Sequence, residues 1–137
     1  MRMSLRSALV CASLAAGTTP TQPAAPVRLA ATAPAFGRGS PISFALSNTS
    51  GRTVLVAACG DHVTVILERS QGAGWQNYAS GICLAIYSMV PATLAPGALR
   101  EETTTVQDPG RYRLRILVGT DLRNVNLGVV SPPFDVR

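Results

Sequence analysis

From about residue 27 onward, apolar and polar residues alternate in short runs, and no stretch of ten carries helical spacing. The alternation is clearest in Arg111-Tyr112-Arg113-Leu114-Arg115-Ile116, where the arginines fall on one side and Tyr112, Leu114 and Ile116 on the other. Side chains of a strand point alternately to opposite faces, so this segment predicts a strand with one buried and one wetted face. The same reading predicts eight strands, at Val27–Thr32, Ile42–Ser47, Thr53–Ala57, Val63–Arg69, Trp75–Tyr78, Leu99–Val106, Tyr112–Val118 and Val129–Val136. Phe44 and Leu46, with Val63, Val65 and Leu67, supply the core opposite the Tyr112 strand. Short one-sided strands at intervals of about ten residues define an all-β chain, a two-sheet antiparallel sandwich of about seven or eight strands.

The breaks between strands have their own chemistry. Asn48-Thr49-Ser50-Gly51 and Gln71-Gly72-Ala73-Gly74 offer side chains that bond their own backbone, or glycines that accept positive φ. Pro96-Gly97 and Asp108-Pro109-Gly110 are turn sequences. Pro132 and Pro133 donate no ladder hydrogen bond, which puts the last strand at an edge or breaks it with a bulge.

The first 26 residues differ in kind. Arg2 and Arg6 precede a short apolar run, Leu9 to Ala16, and small residues at Ser13, Ala15 and Gly17. This predicts a signal peptide over residues 1–17. The run is much shorter than the roughly 20 residues that span a bilayer, so no transmembrane segment is expected in the mature chain. Residues 18–26, rich in Thr, Pro, Gln and Ala, read as a flexible tether, and residues 27–137 as the folded domain. The protein is therefore expected to be exported, to the periplasm or beyond. Cys11 leaves with the signal peptide, so Cys59 and Cys83 remain and are expected to form a disulfide.

Charge changes this picture little. The formal net charge is +5, and loss of Arg2 and Arg6 leaves ten arginines against seven acids, too mild a balance for a nucleic-acid partner. All the basic residues are arginine, which fits the alanine-rich composition of a GC-rich genome. Because arginine binds carboxylate and phosphate bidentately, Arg111, Arg113 and Arg115 also stand as a candidate anion-binding face. Glu101 or Glu102 is expected across the ladder to offset them.

Asp108-Pro109-Gly110-Arg111-Tyr112 matches D-x-G-x-Y, the sequence that precedes strand F of immunoglobulin-type sandwiches. The resemblance implies a tyrosine corner made by Asp108, Gly110 and Tyr112. The antibody cysteine two residues on is replaced by Leu114, so Cys59–Cys83 is a different staple. Phe44 to Ser50, Gly74-Trp75 and Leu94-Ala95-Pro96-Gly97 add to a likeness to small secreted bacterial immunoglobulin-like domains. Their order is similar also to proteinase-inhibitor domains of the BsuPI kind. The resemblance covers roughly Ile42 to Val118.

Candidate chemistry is sparse. His62 is the sole histidine, and no G-x-S-x-G elbow is present, so no catalytic residues are assigned. A zinc site from Cys59, His62 and Cys83 competes with the disulfide, which is the favoured reading; no metal or cofactor is expected. Trp75, Tyr78 and Tyr87 compose a possible sugar platform, against a simpler role for Trp75 in filling the core or covering the disulfide. The expected function is that of a non-enzymatic exported binding or structural module whose partner is another extracytoplasmic protein. The alternative is a proteinase inhibitor acting through an exposed loop, Gly60–His62 or Ser80–Pro96. Intact-mass measurement of protein recovered outside the cytoplasm is expected to show an N-terminus near Ala15 or Gly17; a retained Met1 would disprove the signal peptide.

Overall fold

The computed structural model describes residues 25–81, 83 and 89–137. The expected signal peptide at 1–17, most of the expected tether, and Tyr87 lie outside the described residues. Pro26, the last residue of the expected tether, is already tied to the fold, its carbonyl accepting the Thr49 N–H at 3.0 Å.

Among the described residues there are thirteen strands and no helix. They are β1 (Val27–Ala31), β2 (Ala35–Phe36), β3 (Pro41–Asn48), β4 (Val54–Val56), β5 (Ala58–Cys59), β6 (His62–Val63) and β7 (Ile66–Gln71). Then come β8 (Gly74–Ser80), β9 (Ala92–Leu94), β10 (Leu99–Thr105), β11 (Gly110–Gly119), β12 (Leu127–Val130) and β13 (Phe134–Val136). One sheet has the order β1-β3-β10. The larger sheet is built around β11, which pairs with β7 and β4 on one edge and with β13 and β12 on the other. Strands β8 and β9 extend the first edge, and β2 adds to β13 in parallel. All other pairings are antiparallel. The fold is an all-β sandwich of immunoglobulin-like type.

The alternation read from the sequence sets the interior. Tyr112, Leu114, Ile116 and Val118 of β11 are wholly buried, as are Ile42, Phe44 and Leu46 of β3, and all belong to one core cluster. Burial of each such side chain stabilises by about 1.5–3 kcal/mol relative to exposure. Val65 is only partly buried, because the expected strand Val63–Arg69 is two pieces, β6 and β7.

Polar groups close the ends of the sandwich. Tyr112 donates its hydroxyl to the Asp108 carbonyl at 2.9 Å, and Tyr78 donates to the Asp108 carboxylate at 2.8 Å. The two rings meet edge to face, and Arg69, over the Tyr112 ring, donates to the Pro109 carbonyl. A Cβ on Gly110 would come within 2.8 Å of Arg69 Nε, so this packing favours glycine there. Asn48, buried at the end of β3, uses its whole amide: Nδ2 donates to the Arg52 and Leu94 carbonyls, and Oδ1 accepts from the Ser50 N–H and hydroxyl.

The expected strand Val129–Val136 also breaks, at Pro132-Pro133. Ser131 repairs the ladder there: its N–H donates to the Leu114 carbonyl and its hydroxyl accepts the Leu114 N–H, both at 2.9 Å. Strands β2, β5 and β9 were not expected. Each has two or three residues and depends on its neighbour for definition.

Tyr112→Phe is expected to cost about 1 kcal/mol, by loss of the hydroxyl bond alone. Gly119→Ala should cost more, about 1–3 kcal/mol, because the new Cβ would lie 2.1 Å from the Asn124 carbonyl oxygen. Urea denaturation measures both; an unchanged midpoint for Tyr112→Phe would show that the corner bond contributes nothing.

Candidate functional site

Along the β4/β7 edge of β11, Val118 faces Val56, but Arg115 faces Ile66. Three steps along β11 are matched by ten along the neighbour, so seven residues leave the sheet. The returning strand leaves at the same level: β8 reaches Ser80 opposite Ile66, and β9 resumes at Ala92 opposite Val56. Strands β4, β7, β8 and β9 are thus one long hairpin with an excursion from each arm. The Cys59–Cys83 disulfide joins the two excursions, with its Cα atoms 5.4 Å apart. The cysteines are bonded to each other and offer no thiolates, so the structure removes the zinc alternative with His62.

The first excursion is itself a small hairpin. Cys59 pairs with His62 across Gly60-Asp61, and Gly60 has φ +59°. A two-residue turn with positive φ at its first position is a glycine site. Thr64 N–H donates to the Ala57 carbonyl and closes the base at 2.8 Å.

This hairpin is held against β10 by Glu102. Alternate residues Arg100, Glu102 and Thr104 are half-buried and sit in register with Leu46, Phe44 and Ile42, so they occupy the core-facing side. The Glu102 side chain is 10% exposed. Its Oε1 accepts from Arg100 Nε at 2.7 Å and from the Val63 N–H at 3.3 Å, and its Oε2 lies 3.3 Å from His62 Nδ1. Arg100 also donates to the Asp61 carbonyl. Burial pushes the Glu102 carboxyl up, but the bonds from Arg100, the Val63 N–H and His62 outweigh it and hold the group below the ordinary glutamate range. Sequence reasoning missed Arg100 and Glu102 as a site. The available signal was phase: in a strand with Val106 on the core side, both fall on the inward positions.

Of the second excursion, the described part ends in Met89 and Val90, 75% and 65% exposed. Along the first excursion lies an open depression of about 390 Å³ lined by Cys59, Gly60, Asp61, His62, Val63, Thr64, Val65 and Gly81. Its walls are mainly aliphatic and backbone, with His62 and Asp61 at the rim.

The arginine row lies elsewhere, on the outer face of the larger sheet. Its expected counter-ions, Glu101 and Glu102, are in the other sheet, because β11 neighbours β7 and not β10. Glu68 of β7 takes their place: it is buried and accepts from Arg113 Nε at 2.6 Å and from Arg115 Nε at 2.8 Å. Arg111 stands exposed at the end of the row. Trp75 neither fills the core nor covers the disulfide. It is half-buried on this outer face, with the Arg113 guanidinium 4.7 Å from its ring centre. Tyr78 belongs to the corner at Asp108, so Trp75 and Tyr78 form no shared platform.

No known family profile matches the chain, and no curated protein matches it in sequence. Among solved structures it is similar to the alkylpurine DNA glycosylase AlkC of Pseudomonas fluorescens, at 17% identity and TM-score 0.41, over 82% of this chain and 31% of that one. It is similar also to the CARDB domain of PF1109 from Pyrococcus furiosus, at 18% identity and TM-score 0.39, over 80% of this chain and 89% of that one. A β-glucosidase of Listeria innocua matches at 14% identity and TM-score 0.34, over 16% of its length. The chain thus spans less than a third of both enzymes.

Because Glu102 titrates below its unfolded value, its contribution is complete above the ordinary glutamate range and is lost as pH falls through the lower folded value. Acidification should therefore raise exchange of the Val63 amide before the core of β11 opens. Glu102→Gln should abolish that acid-dependent step. Simultaneous loss of protection at Val63 and Leu114 would show that Glu102 does not hold the hairpin separately.

Proposed function

We propose that this chain is a non-enzymatic binding module, and that the stapled pair of excursions is its recognition surface for another extracytoplasmic protein. The observation that carries the reading is the cross-linked double departure from one hairpin. A sheet strand gives up ladder hydrogen bonds when it leaves, and here both arms leave together and are tied covalently. Closing a loop of this size removes unfolded-state entropy worth about 3 kcal/mol. The result is a surface held by a rigid sandwich, as recognition loops commonly are. Met89 supplies an exposed apolar group, and His62 and Asp61 a polar rim, the mixture that suits a protein partner. His62, 83% exposed, turns Nδ1 to Glu102 and so takes part in holding the hairpin.

The second reading is a proteinase inhibitor of BsuPI kind. The Gly60–His62 loop suits it poorly, since a two-residue hairpin turn lacks the extended backbone that pairs in a protease cleft. The other loop, Ser80–Pro96, lies in part outside the described residues, and its Ala92–Leu94 stretch is strand β9, paired with β4; Cys83 would brace what remains of it as an inhibitory loop.

The test is crosslinking capture from the exported fraction with wild-type protein, Met89→Asp, Cys59→Ser/Cys83→Ser and, as a remote control, Arg28→Gln. One partner should be captured by wild type and control and lost in the other two. Equal capture by all four would sink the proposed surface. Tight inhibition of a proteinase, lost on cutting between Ser80 and Pro96, would move the assignment to the second reading.

A further inference from the structure

On the outer face of the larger sheet, Arg111, Arg113 and Arg115 follow one another at alternate positions of β11, about 7 Å apart, so the row spans about 14 Å. Two of the three are preorganised. Glu68 receives only the Nε of Arg113 and of Arg115, and Trp75 backs the Arg113 guanidinium. Arg115 reaches Asn77 Oδ1 through one terminal nitrogen, at a long 3.4 Å. The terminal nitrogens of Arg113 have no hydrogen-bond partner among the described residues. Among the described residues Arg111 has none either: Asp135, opposite it in register, has its carboxylate 3.7 Å from Arg137 instead.

One buried carboxylate therefore fixes two guanidiniums and leaves most of their terminal donors unused. Such ordering removes much of the rotamer entropy that arginine ordinarily loses on binding. A buried charge with half-exposed partners is a costly way to hold a surface, and hydrophobic side chains on β7 and β11 would stabilise the sheet at least as well. The unused donors are the property that such side chains would not supply.

We propose that this row binds a linear anionic polysaccharide along β11, its carboxylate or sulfate groups received by Arg111, Arg113 and Arg115. Guanidinium donor pairs match both anions. Trp75 and the Asn77 amide sit beside the row, an aromatic edge and an amide that suit the apolar face and hydroxyls of a sugar. The short row, with Glu68 beneath it, gives a local excess of positive charge smaller than a nucleic-acid groove carries. This surface is distinct from the stapled excursions, and neither reading rests on the other.

The experiment is calorimetric titration of the whole protein, at low and at physiological salt, with an oligogalacturonate, a heparin oligosaccharide and a single-stranded DNA of equal charge. At least one glycan should bind, more tightly at low salt and more tightly than the DNA. Preference for galacturonate identifies carboxylate recognition; preference for heparin identifies sulfate recognition. Arg111→Gln, at an exposed position without a hydrogen-bond partner among the described residues, should weaken binding about three- to fivefold, as loss of one screened charge contact does. Glu68→Gln, which leaves an acceptor for only one of the two guanidiniums, should weaken it although a negative charge is removed, with thermal melting used to verify the fold; if that variant does not fold, Arg111→Gln decides. Arg28→Gln, on the other sheet, should change nothing. Three results overturn the proposal: no glycan binding at low salt, DNA binding as tight as glycan binding, or equal weakening by Arg28→Gln and Arg111→Gln.

Discussion

Strand β11 must satisfy hydrogen bonds on both of its edges while burying four side chains beneath it. On one edge this is achieved by β13 and β12, with the Ser131 hydroxyl filling the place between them. On the other it is achieved by β7 and β4. Neither edge is served by a single continuous strand, and both interruptions follow from that division of labour. An unmade backbone hydrogen bond in the interior costs about 1–3 kcal/mol, so each gap has to be bridged by something definite. At Pro132-Pro133 the bridge is a serine hydroxyl. At residues 57–65 it is a hairpin closed by its own backbone bond.

The paired excursions gain their order from three sources of different kind. The disulfide acts on the unfolded chain, the Ala57–Thr64 bond fixes the base, and Glu102 ties the tip to the neighbouring sheet. Glu102 has a second effect. Strand β10 is the outermost strand of its sheet, and inward-pointing charge is one of the ways natural sandwiches discourage edge-to-edge pairing. The same residue thus places a candidate binding surface and guards an edge.

Much of the framework was legible because it is written locally. Alternation at Tyr112 to Val118 is a period-two signal that needs no knowledge of neighbours, and Asp108-Pro109-Gly110-Arg111-Tyr112 carries a turn and its hydroxyl donor within five residues. What was not legible depends on strand order. Val63 to Arg69 alternates well enough to pass for one strand, and only its pairing with β11 shows that Val63 belongs to the excursion. Glu68 looks in sequence like a solvent-facing acid. It becomes a buried counter-ion because β7, not β10, lies beside the arginine row. Strands of two or three residues, such as β2 and β9, have almost no intrinsic preference and exist by virtue of the strand alongside.

The buried amide of Asn48 has a consequence for how this protein can be made. Asn48-Thr49-Ser50 is an N-x-S acceptor for oligosaccharide transfer. Its Nδ2, the atom that would carry the sugar, is committed to two carbonyls inside the fold. A glycan could be attached only before the chain folds, and the adduct would then have no room at the end of β3. In a eukaryotic secretory host, glycosylation and folding at this position are mutually exclusive, and the yield of native protein would depend on which comes first.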